Sequence, residues 1–191
     1  MHNPSLLLIN SWIYDFALYD FWARPLGLLY LAGILRLNGY KISYIDCLDR
    51  YYPGLNEEPG LERGESREYG TGSFYRQKIP KPSCLKDIPR YYYRFGLSRR
   101  LFLEALNRME RPEAVLVTSG MTYWYPGAFE VIRAIKQIWP DMPVILGGIY
   151  ATICSEHAKT YSGADFVVEG PGEVKILALL DEAIFVAMDI I

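Results

Sequence analysis

The chain has few of the residues that metal sites, disulfide frameworks and nucleic-acid surfaces require. Only three cysteines and two histidines occur in 191 residues. Three cysteines cannot all form disulfides with one another, and Cys47, Cys84 and Cys154 lie far apart in the sequence. We therefore expect reduced thiols. With 20 Lys+Arg against 22 Asp+Glu, the formal charge is −2. Because the chain lacks the broad positive charge that binds a phosphate backbone, we do not expect nucleic acid as a partner.

Long hydrophobic runs are missing as well. The apolar run in MHNPSLLLIN is too short for the core of a signal peptide. The C-terminal KILALLDEAIFVAMDII is interrupted by acidic residues and falls short of the ~20 apolar residues that span a bilayer. We therefore expect a cytoplasmic protein without a membrane partner. Its 51% hydrophobic and 22% charged residues are typical of a folded globular domain.

Short apolar runs alternate with amphipathic stretches, which predicts βαβ units and a parallel sheet. The pattern indicates an α/β, flavodoxin-like (Rossmann-like) three-layer sandwich with a five-stranded parallel sheet in a single domain, residues 1–191. The predicted strands are Ser5–Asn10, Lys41–Asp46, Ala114–Ser119, Pro143–Gly148 and Ala164–Gly170. Helices are predicted in RPLGLLYLAGILRLNGY, where Asn38-Gly39 is a stop signal, and at about 97–109, 126–138, 151–161 and 173–188.

A long insertion after the second strand, about residues 48–96, breaks this alternation. It holds seven of the 16 tyrosines and five of the 12 prolines, and it has no sustained periodicity. Loops of this length inside a compact domain are uncommon and usually functional or partly disordered. Two interpretations stay open: the insertion covers a ligand or another domain, or it packs on its own domain.

Glycines and aromatic residues follow the predicted strands. The segments after the strands are NSWIYDF, SGMTYWYPG, GGIYAT and EGPGE. Ligands of open parallel sheets bind outside the carboxyl ends of the strands, and glycine lets the backbone approach them closely. We expect an aromatic rim at this edge, formed by Trp12, Tyr14, Tyr123, Trp124 and Tyr150, that suits a large flat ligand or a partner domain.

The motifs VTSGMT, VILGGIYAT and VVEGPGE, together with LLLINSWIYDFALYDFWARPLGLLYLAGIL, resemble the N-terminal cobalamin (vitamin B12)-binding-type domain of cobalamin-dependent radical SAM proteins. The resemblance covers nearly the whole chain. It implies a corrinoid held at the carboxyl ends of the strands. Ser119 and Thr122 match the polar turn that faces the corrin, and Gly147 with Gly148 match the glycine pair beside which the nucleotide tail passes. Gly170, Gly172 and Glu173 match the final turn.

With their neighbours at the strand ends, these positions form the candidate cofactor-binding set. The set is Asn10, Ser11, Trp12, Ser119, Gly120, Met121, Thr122, Gly147, Gly148, Ile149, Tyr150, Glu169, Gly170, Gly172 and Glu173. The DxHxxG motif that supplies a histidine to cobalt in many cobalamin domains is absent. The resemblance therefore implies cobalamin without a protein histidine ligand, and no residue is predicted to bind a metal.

Three spaced cysteines in a CxxxCxxC-like motif, which would hold an iron–sulfur cluster, are also absent. No cluster and no catalytic residue are predicted, and the radical SAM barrel is expected as a partner, in the full-length protein or in a separate chain. The end FVAMDII looks like a domain cut off before that barrel. Two alternatives stay open: a degenerate interaction domain that packs against a catalytic barrel, and a small-molecule sensor.

Other candidate sites are weaker. The chain has no P-loop, no G-x-G-x-x-G after the first strand and no G-x-S-x-G elbow around Ser119. Cys154 and His157 have the spacing of two metal ligands on a helix, but no further ligand is near, which favours a structural role. Asp46 and Asp49 are interpreted as residues that cap turns.

Overall fold

The computed structural model describes residues 3–188, and its strands and helices alternate along most of the chain. The strands are β1 (Ser5–Asn10), β2 (Ile13–Asp15), β3 (Tyr19–Asp20), β4 (Lys41–Asp46), β5 (Gly72–Ser73), β6 (Arg76–Ile79), β7 (Tyr92–Phe95), β8 (Ala114–Ser119), β9 (Val144–Gly148) and β10 (Phe166–Val167). The α-helices are α1 (Leu26–Leu37), α2 (Arg99–Arg108), α3 (Tyr125–Ile138), α4 (Ile149–Ile153), α5 (Ser155–Tyr161) and α6 (Ile176–Met188). Within the described residues, none of the helices has the length and apolar character needed to cross a membrane.

The chain divides into two compact units. Unit 1 comprises, within the described residues, 3–11, 25–46 and 110–188. Unit 2 comprises Trp12–Arg24 and Cys47–Met109. The predicted insertion, residues 48–96, lies entirely in unit 2, together with a short segment after β1 and helix α2.

Unit 1 contains a five-stranded sheet in the order β10-β9-β8-β1-β4, with every neighbouring pair parallel. When these five strands are numbered 1 to 5 along the chain, the sheet read from β4 to β10 has the order 2-1-3-4-5. This is the strand order of flavodoxin-like folds, which confirms the predicted fold class. The chain adds β4 on one side of β1 and then returns to add β8 on the other. The point where strand order reverses therefore lies between β1 and β8.

The central strands are buried on both faces. Leu6, Leu7, Leu8 and Ile9 of β1 are all fully buried, as expected for a continuous apolar run in the middle of a parallel sheet. Helices α1 and α6 cover one face, where Leu28, Leu35, Ile176 and Leu180 pack with Leu6, Leu8 and Leu116. Helix α3 packs on β8 through a stripe that includes Val131, Ile132 and Ile135. The outcome is a layer of helices on each side of the sheet.

Most predicted boundaries agree with the structure, and the differences are local. Helix α1 stops at Asn38-Gly39, where Gly39 has φ +88° and the Tyr40 amide donates to the Leu35 carbonyl. The fifth strand is much shorter than the predicted Ala164–Gly170, because only Phe166–Val167 pairs with β9. The helix predicted at 151–161 is two helices, α4 and α5, which meet at Cys154 in a non-helical conformation.

Unit 2 contains more strands and helices than expected from the sequence of residues 48–96, which has no sustained periodicity. It contains a three-stranded antiparallel sheet in the order β2-β7-β6 and a two-stranded sheet, β3-β5. Its core includes Trp12, whose ring packs edge-on against Phe102 and whose indole N–H donates to the Leu97 carbonyl at 2.8 Å. Helix α2 starts at a buried cap, where the Ser98 hydroxyl accepts from the Leu101 amide.

Candidate functional site

The carboxyl edge of the unit 1 sheet brings together the turns after β8, β9 and β10. Ser119 ends β8 and lies beside Gly148, the last residue of β9, in the parallel register. The Ser119 side chain is buried, and its hydroxyl donates to the Met121 carbonyl at 3.1 Å. Thr122 then opens a short 3-10 helix, Thr122–Trp124, that leads into α3. The Ser119 hydroxyl therefore shapes the turn and is not free for chemistry.

Gly148 occupies a conformation that only glycine adopts readily, with φ +95° and ψ −170°. A Cβ placed there would lie 2.5 Å from the Ser119 carbonyl oxygen and 2.7 Å from the Thr118 hydroxyl oxygen. Gly147 differs, because a Cβ there would meet no atom within 4 Å. The predicted glycine pair thus has two roles: Gly148 makes the turn, and Gly147 leaves space open.

That space belongs to a cavity of about 170 Å³ in unit 1. Its walls come from the start of α1, the ends of β8 and β9, the turn after β10 and the start of α6. The lining residues are Gly27, Leu28, Leu31, Leu116, Val117, Thr118, Ile145, Gly147, Gly148, Val168, Gly170, Pro171, Gly172, Glu173 and Ile176. Most of this lining is aliphatic side chain or glycine backbone. A cavity of about 150 Å³ holds one benzene ring, so this one has room for a small aromatic group.

Glycine also allows the turn after β10, which forms one wall of the cavity, to lie close to α1. A Cβ on Gly172 would lie 3.2 Å from a methyl carbon of Leu31, which is tighter than ordinary contact. Gly170 has φ +73°, and its amide donates to the Thr152 hydroxyl at 3.0 Å. That same hydroxyl donates to the Gly148 carbonyl at 3.0 Å. Thr152, which sequence reasoning missed, therefore links two of the turns that line the cavity.

Glu169 is held on the outside of the last turn. Its carboxylate lies 2.8 Å from the Lys159 ammonium group. Hydrogen bonds from Lys159 first, and then from Ser155, hold the pKa of Glu169 below its ordinary value. The Lys175 ammonium group donates to the Glu169 carbonyl at 2.9 Å. Glu169 positions the turn and is absent from the cavity lining, whereas Glu173 is part of it.

Two predicted site residues at the end of β1 behave differently. Asn10 donates from its side-chain amide to the Asp46 carboxylate on β4 at 2.7 Å, which ties together the ends of two neighbouring strands. Ser11 is buried. Neither residue lines the cavity.

The predicted aromatic rim needs a correction for two of its members. Trp12 is a fully buried core residue of unit 2. Tyr150, in unit 1, is 1% exposed; its ring stacks on Tyr125 and its hydroxyl lies 2.6 Å from Nδ1 of His157. Both side chains are large enough to fill core space, and sequence position alone does not reveal which way they turn. Neither side chain forms a surface rim.

The carboxyl edge of unit 1 nevertheless exposes apolar side chains. Met121 and Tyr123 follow β8, Ile149 follows β9 and Val174 follows β10, and all four are exposed. Leu26, in the first turn of α1, is 75% exposed. We call these five residues the apolar rim. Single exposed apolar residues are ordinary, but several of them at one edge of a sheet are typical of a ligand or partner surface.

Protein ligands for a metal are not assembled in the described part of the chain, where no group of three or more His, Cys, Asp or Glu side chains converges. His157, the one histidine among the described residues, lies on α5 against Tyr150. Cys47, Cys84 and Cys154 are not joined by disulfide bonds. Asp49 accepts a hydrogen bond from the Tyr51 amide, as the predicted turn-capping role requires.

Comparison with known proteins gives a family match over part of the chain and a fold match over nearly all of it. Residues 99–180 match the family model of the B12 binding domain. The chain is similar to a response regulator receiver protein from Sinorhizobium medicae WSM419, with 12% identity, a TM-score of 0.51, and 97% of this chain and 98% of that chain covered. It is also similar to a fusion protein containing a trimeric coiled-coil segment of yeast Spc42, with 12% identity, a TM-score of 0.51, and 97% of this chain and 81% of that chain covered. No curated protein matches the chain.

These comparisons differ in what they support. Identities of 12% show a shared fold and nothing about activity. The family match includes β8, β9 and β10, the strands whose ends line the cavity. It supports a cobalamin-binding-type function.

Proposed function

We propose that unit 1 holds a corrinoid at the carboxyl edge of its sheet, with the nucleotide tail of the corrinoid in the cavity beside Gly147. The observation that carries this proposal is the cavity itself. It lies at the end of the sheet where open α/β folds bind ligands, and its walls include the glycine turns within the stretch that matches the B12 binding domain.

The size and lining of the cavity favour the tail over the corrin ring. A volume of about 170 Å³ admits one small aromatic group, whereas a corrin macrocycle is far larger. Leu28, Leu31, Ile145, Val168 and Ile176 supply apolar contacts for a flat base. The open space at Gly147 provides the passage from the edge of the sheet into this cavity.

The corrin ring itself would lie outside, against the apolar rim. Met121, Tyr123 and Ile149 offer exposed apolar surface next to the turns after β8 and β9. Cobalamin bound here would supply the reactive cobalt centre, and the residues of this chain would hold and orient it. His157 points to Tyr150, so no histidine side chain of the described residues is assigned to cobalt.

We also propose that the partner of this surface is a radical SAM catalytic domain, carried on the same polypeptide or on another. Support comes from the resemblance of the sequence motifs and from the exposed apolar rim, which a partner would shield from water. The second candidate function is an interaction domain without a cofactor. Helix α1 favours it, because Tyr30 and Leu37 are 69% and 89% exposed on a helix that carries only one charged residue, Arg36.

The decisive experiment is an anaerobic absorbance titration of the purified protein with hydroxocobalamin and methylcobalamin. The test variant is Gly147→Phe, which places a ring in the cavity without straining the backbone. The matched control is Gly33→Phe, which makes the same change at an exposed glycine of α1 where a Cβ also meets no atom within 4 Å. Cobinamide, a corrinoid without the nucleotide tail, is titrated in parallel.

The proposal expects a saturable spectral change with both cobalamins that Gly147→Phe weakens by about tenfold or more and Gly33→Phe leaves intact. Cobinamide binding should be insensitive to Gly147→Phe, because the variant blocks only the tail. A folded wild-type protein that leaves all corrinoid spectra unchanged contradicts the proposal and favours the interaction domain. Equal weakening of cobalamin and cobinamide contradicts the assignment of the cavity to the tail.

A further inference from the structure

Unit 2 contains a tightly built hairpin-like segment between residues 62 and 76. Glu62 pairs with Arg76 and Ser66 with Gly72 in antiparallel bridges. Glycine is required at two places in it. A Cβ on Gly64 would lie 1.9 Å from the Ser73 carbonyl oxygen, and one on Gly72 would lie 2.0 Å from the Glu65 carbonyl oxygen. The two arms are therefore in close backbone contact.

A buried arginine holds this segment from inside. The Arg50 side chain is 4% exposed, and its terminal nitrogens donate to the Gly70 carbonyl at 2.8 Å and the Ser66 hydroxyl at 3.0 Å. Longer hydrogen bonds run to the carbonyls of Glu65 and Thr71. These acceptors are neutral oxygens, and the charged partner of Arg50, the Asp20 carboxylate at 3.5 Å, is also paired with Arg24.

Beside Arg50 lies a polar cavity of about 240 Å³. Its lining includes Arg50, Asn56, Arg63, Ser66 and Tyr75, and none of the lining residues carries a carboxylate. Arg63 makes no ion pair or side-chain hydrogen bond with any residue in the described chain. The Tyr75 hydroxyl donates to the Asn56 side-chain oxygen at 2.5 Å, which leaves the Asn56 amide as a donor. The cavity thus offers hydrogen-bond donors and positive charge, and no negatively charged side chain lines it.

The charged side chains around the cavity carry a net positive charge. Asp20 lies 3.3 Å from Arg24 and 3.5 Å from Arg50, so one carboxylate faces two guanidinium groups. Two of the three acidic residues of the hairpin-like segment, Glu62 and Glu65, pair with Arg76 and Arg67, and the third, Glu68, does not line the cavity. Lysine and arginine outnumber aspartate and glutamate in unit 2, although the whole chain carries −2.

We propose that this cavity binds the phosphate group of a small phosphate monoester. A monoester carries about two negative charges at neutral pH, which matches the two guanidinium groups that line the cavity, Arg63 and Arg50. Arg63 contacts the phosphate oxygens directly through its planar fork of N–H donors. Arg50 acts as a fixed positive charge in the wall. The volume exceeds the about 150 Å³ that one benzene ring needs, so it also accommodates a short organic group.

Isothermal titration calorimetry tests this site with inorganic phosphate and glycerol 3-phosphate as probes, and with succinate as a dianion of different shape. The test variant is Arg63→Gln, which removes an exposed guanidinium and no ion pair. The matched control is Arg67→Gln, an arginine of the same segment that pairs with Glu65 and does not line the cavity. Circular dichroism of each variant establishes that it folds, and Arg63→Lys provides a second variant that keeps the charge.

We expect saturable binding of glycerol 3-phosphate in the millimolar range or tighter, weakened about tenfold or more by Arg63→Gln and less than about twofold by Arg67→Gln. Arg63→Lys should lie between wild type and Arg63→Gln. The absence of saturable binding to folded wild-type protein overturns the proposal, as does an equal loss in both glutamine variants. Succinate that binds as tightly as glycerol 3-phosphate overturns the phosphate assignment. These readouts do not involve a corrinoid and are independent of the function proposed for unit 1.

Discussion

The buried hydroxyl of Tyr150 lies 2.6 Å from Nδ1 of His157, which joins α4 to α5 directly behind the glycine pair that ends β9. The Tyr150 ring also stacks on Tyr125, the first residue of α3, with 5.4 Å between ring centroids. One residue thus connects three helices. These contacts lie next to the turn at Gly148, the residue that precedes α4.

Tyr150 should make the stability of the protein fall at alkaline pH. Burial raises the pKa of Tyr150 to about 12, above the ordinary value of 10.0. Because the folded state keeps the proton longer, this contribution is fully present below pH 10 and is lost as pH rises towards 12. The slope approaches 1.4 kcal/mol per pH unit, an order-of-magnitude limit. Urea unfolding of wild type and Tyr150→Phe between pH 9 and 12 measures it.

The comparison with Tyr150→Phe isolates this residue from the other tyrosines. Tyr150→Phe should unfold with a shallower pH dependence in that window and should cost about 1 kcal/mol at neutral pH for the lost hydrogen bond. Tyr161→Phe, on the exposed side of α5, is the control and should match wild type. Parallel pH curves for wild type and Tyr150→Phe would contradict the prediction.

Alanine substitutions should separate the two neighbouring glycines of β9. Gly148→Ala forces a Cβ against the Ser119 carbonyl in a backbone conformation that other residues avoid, and should cost about 3 kcal/mol. Gly147→Ala meets open space and should change stability by less than about 1 kcal/mol. Urea denaturation followed by circular dichroism compares them. Similar losses in both variants would show that Gly147 is also under steric constraint.

Arg50 should be the most important charged side chain for the stability of unit 2. Arg50→Met removes its hydrogen bonds to Gly70 and Ser66 and one of the two guanidinium groups that pair with buried Asp20. We expect a loss of about 3 kcal/mol and faster amide hydrogen exchange in residues 62–76. Arg67→Gln, which breaks an exposed ion pair, should cost less than about 1 kcal/mol. Unchanged exchange in this segment would rule out the structural role assigned to Arg50.

Trp12 should behave as a core residue and not as part of a binding surface. Trp12→Phe removes the indole N–H that donates to the Leu97 carbonyl and leaves that carbonyl without this donor, at a cost of about 1–3 kcal/mol. Thermal unfolding measures the loss. In the corrinoid titration the folded Trp12→Phe variant should bind like wild type, and weaker binding would return Trp12 to the site.

Fold class was predictable because its signals are local. Continuous apolar runs such as Leu6–Ile9 indicate buried parallel strands, and Asn38-Gly39 marks the end of α1. Unit 2 was less predictable, because its strands β5, β6 and β7 have two to four residues and are held by pairing with distant segments. A strand of two residues, such as β10, is too short to produce a periodic signal.

For the candidate site, sequence alone determined that the turns after β8, β9 and β10 lie at one edge, since the carboxyl ends of parallel strands lie side by side. Tertiary structure decided what each side chain does there. It buried Trp12 and Tyr150, gave Thr152 the link between Gly148 and Gly170, and enclosed a cavity between Leu28 of α1 and Ile176 of α6. These features arise from contacts between residues far apart in the chain, and the direction in which a side chain turns depends on the space its distant neighbours leave.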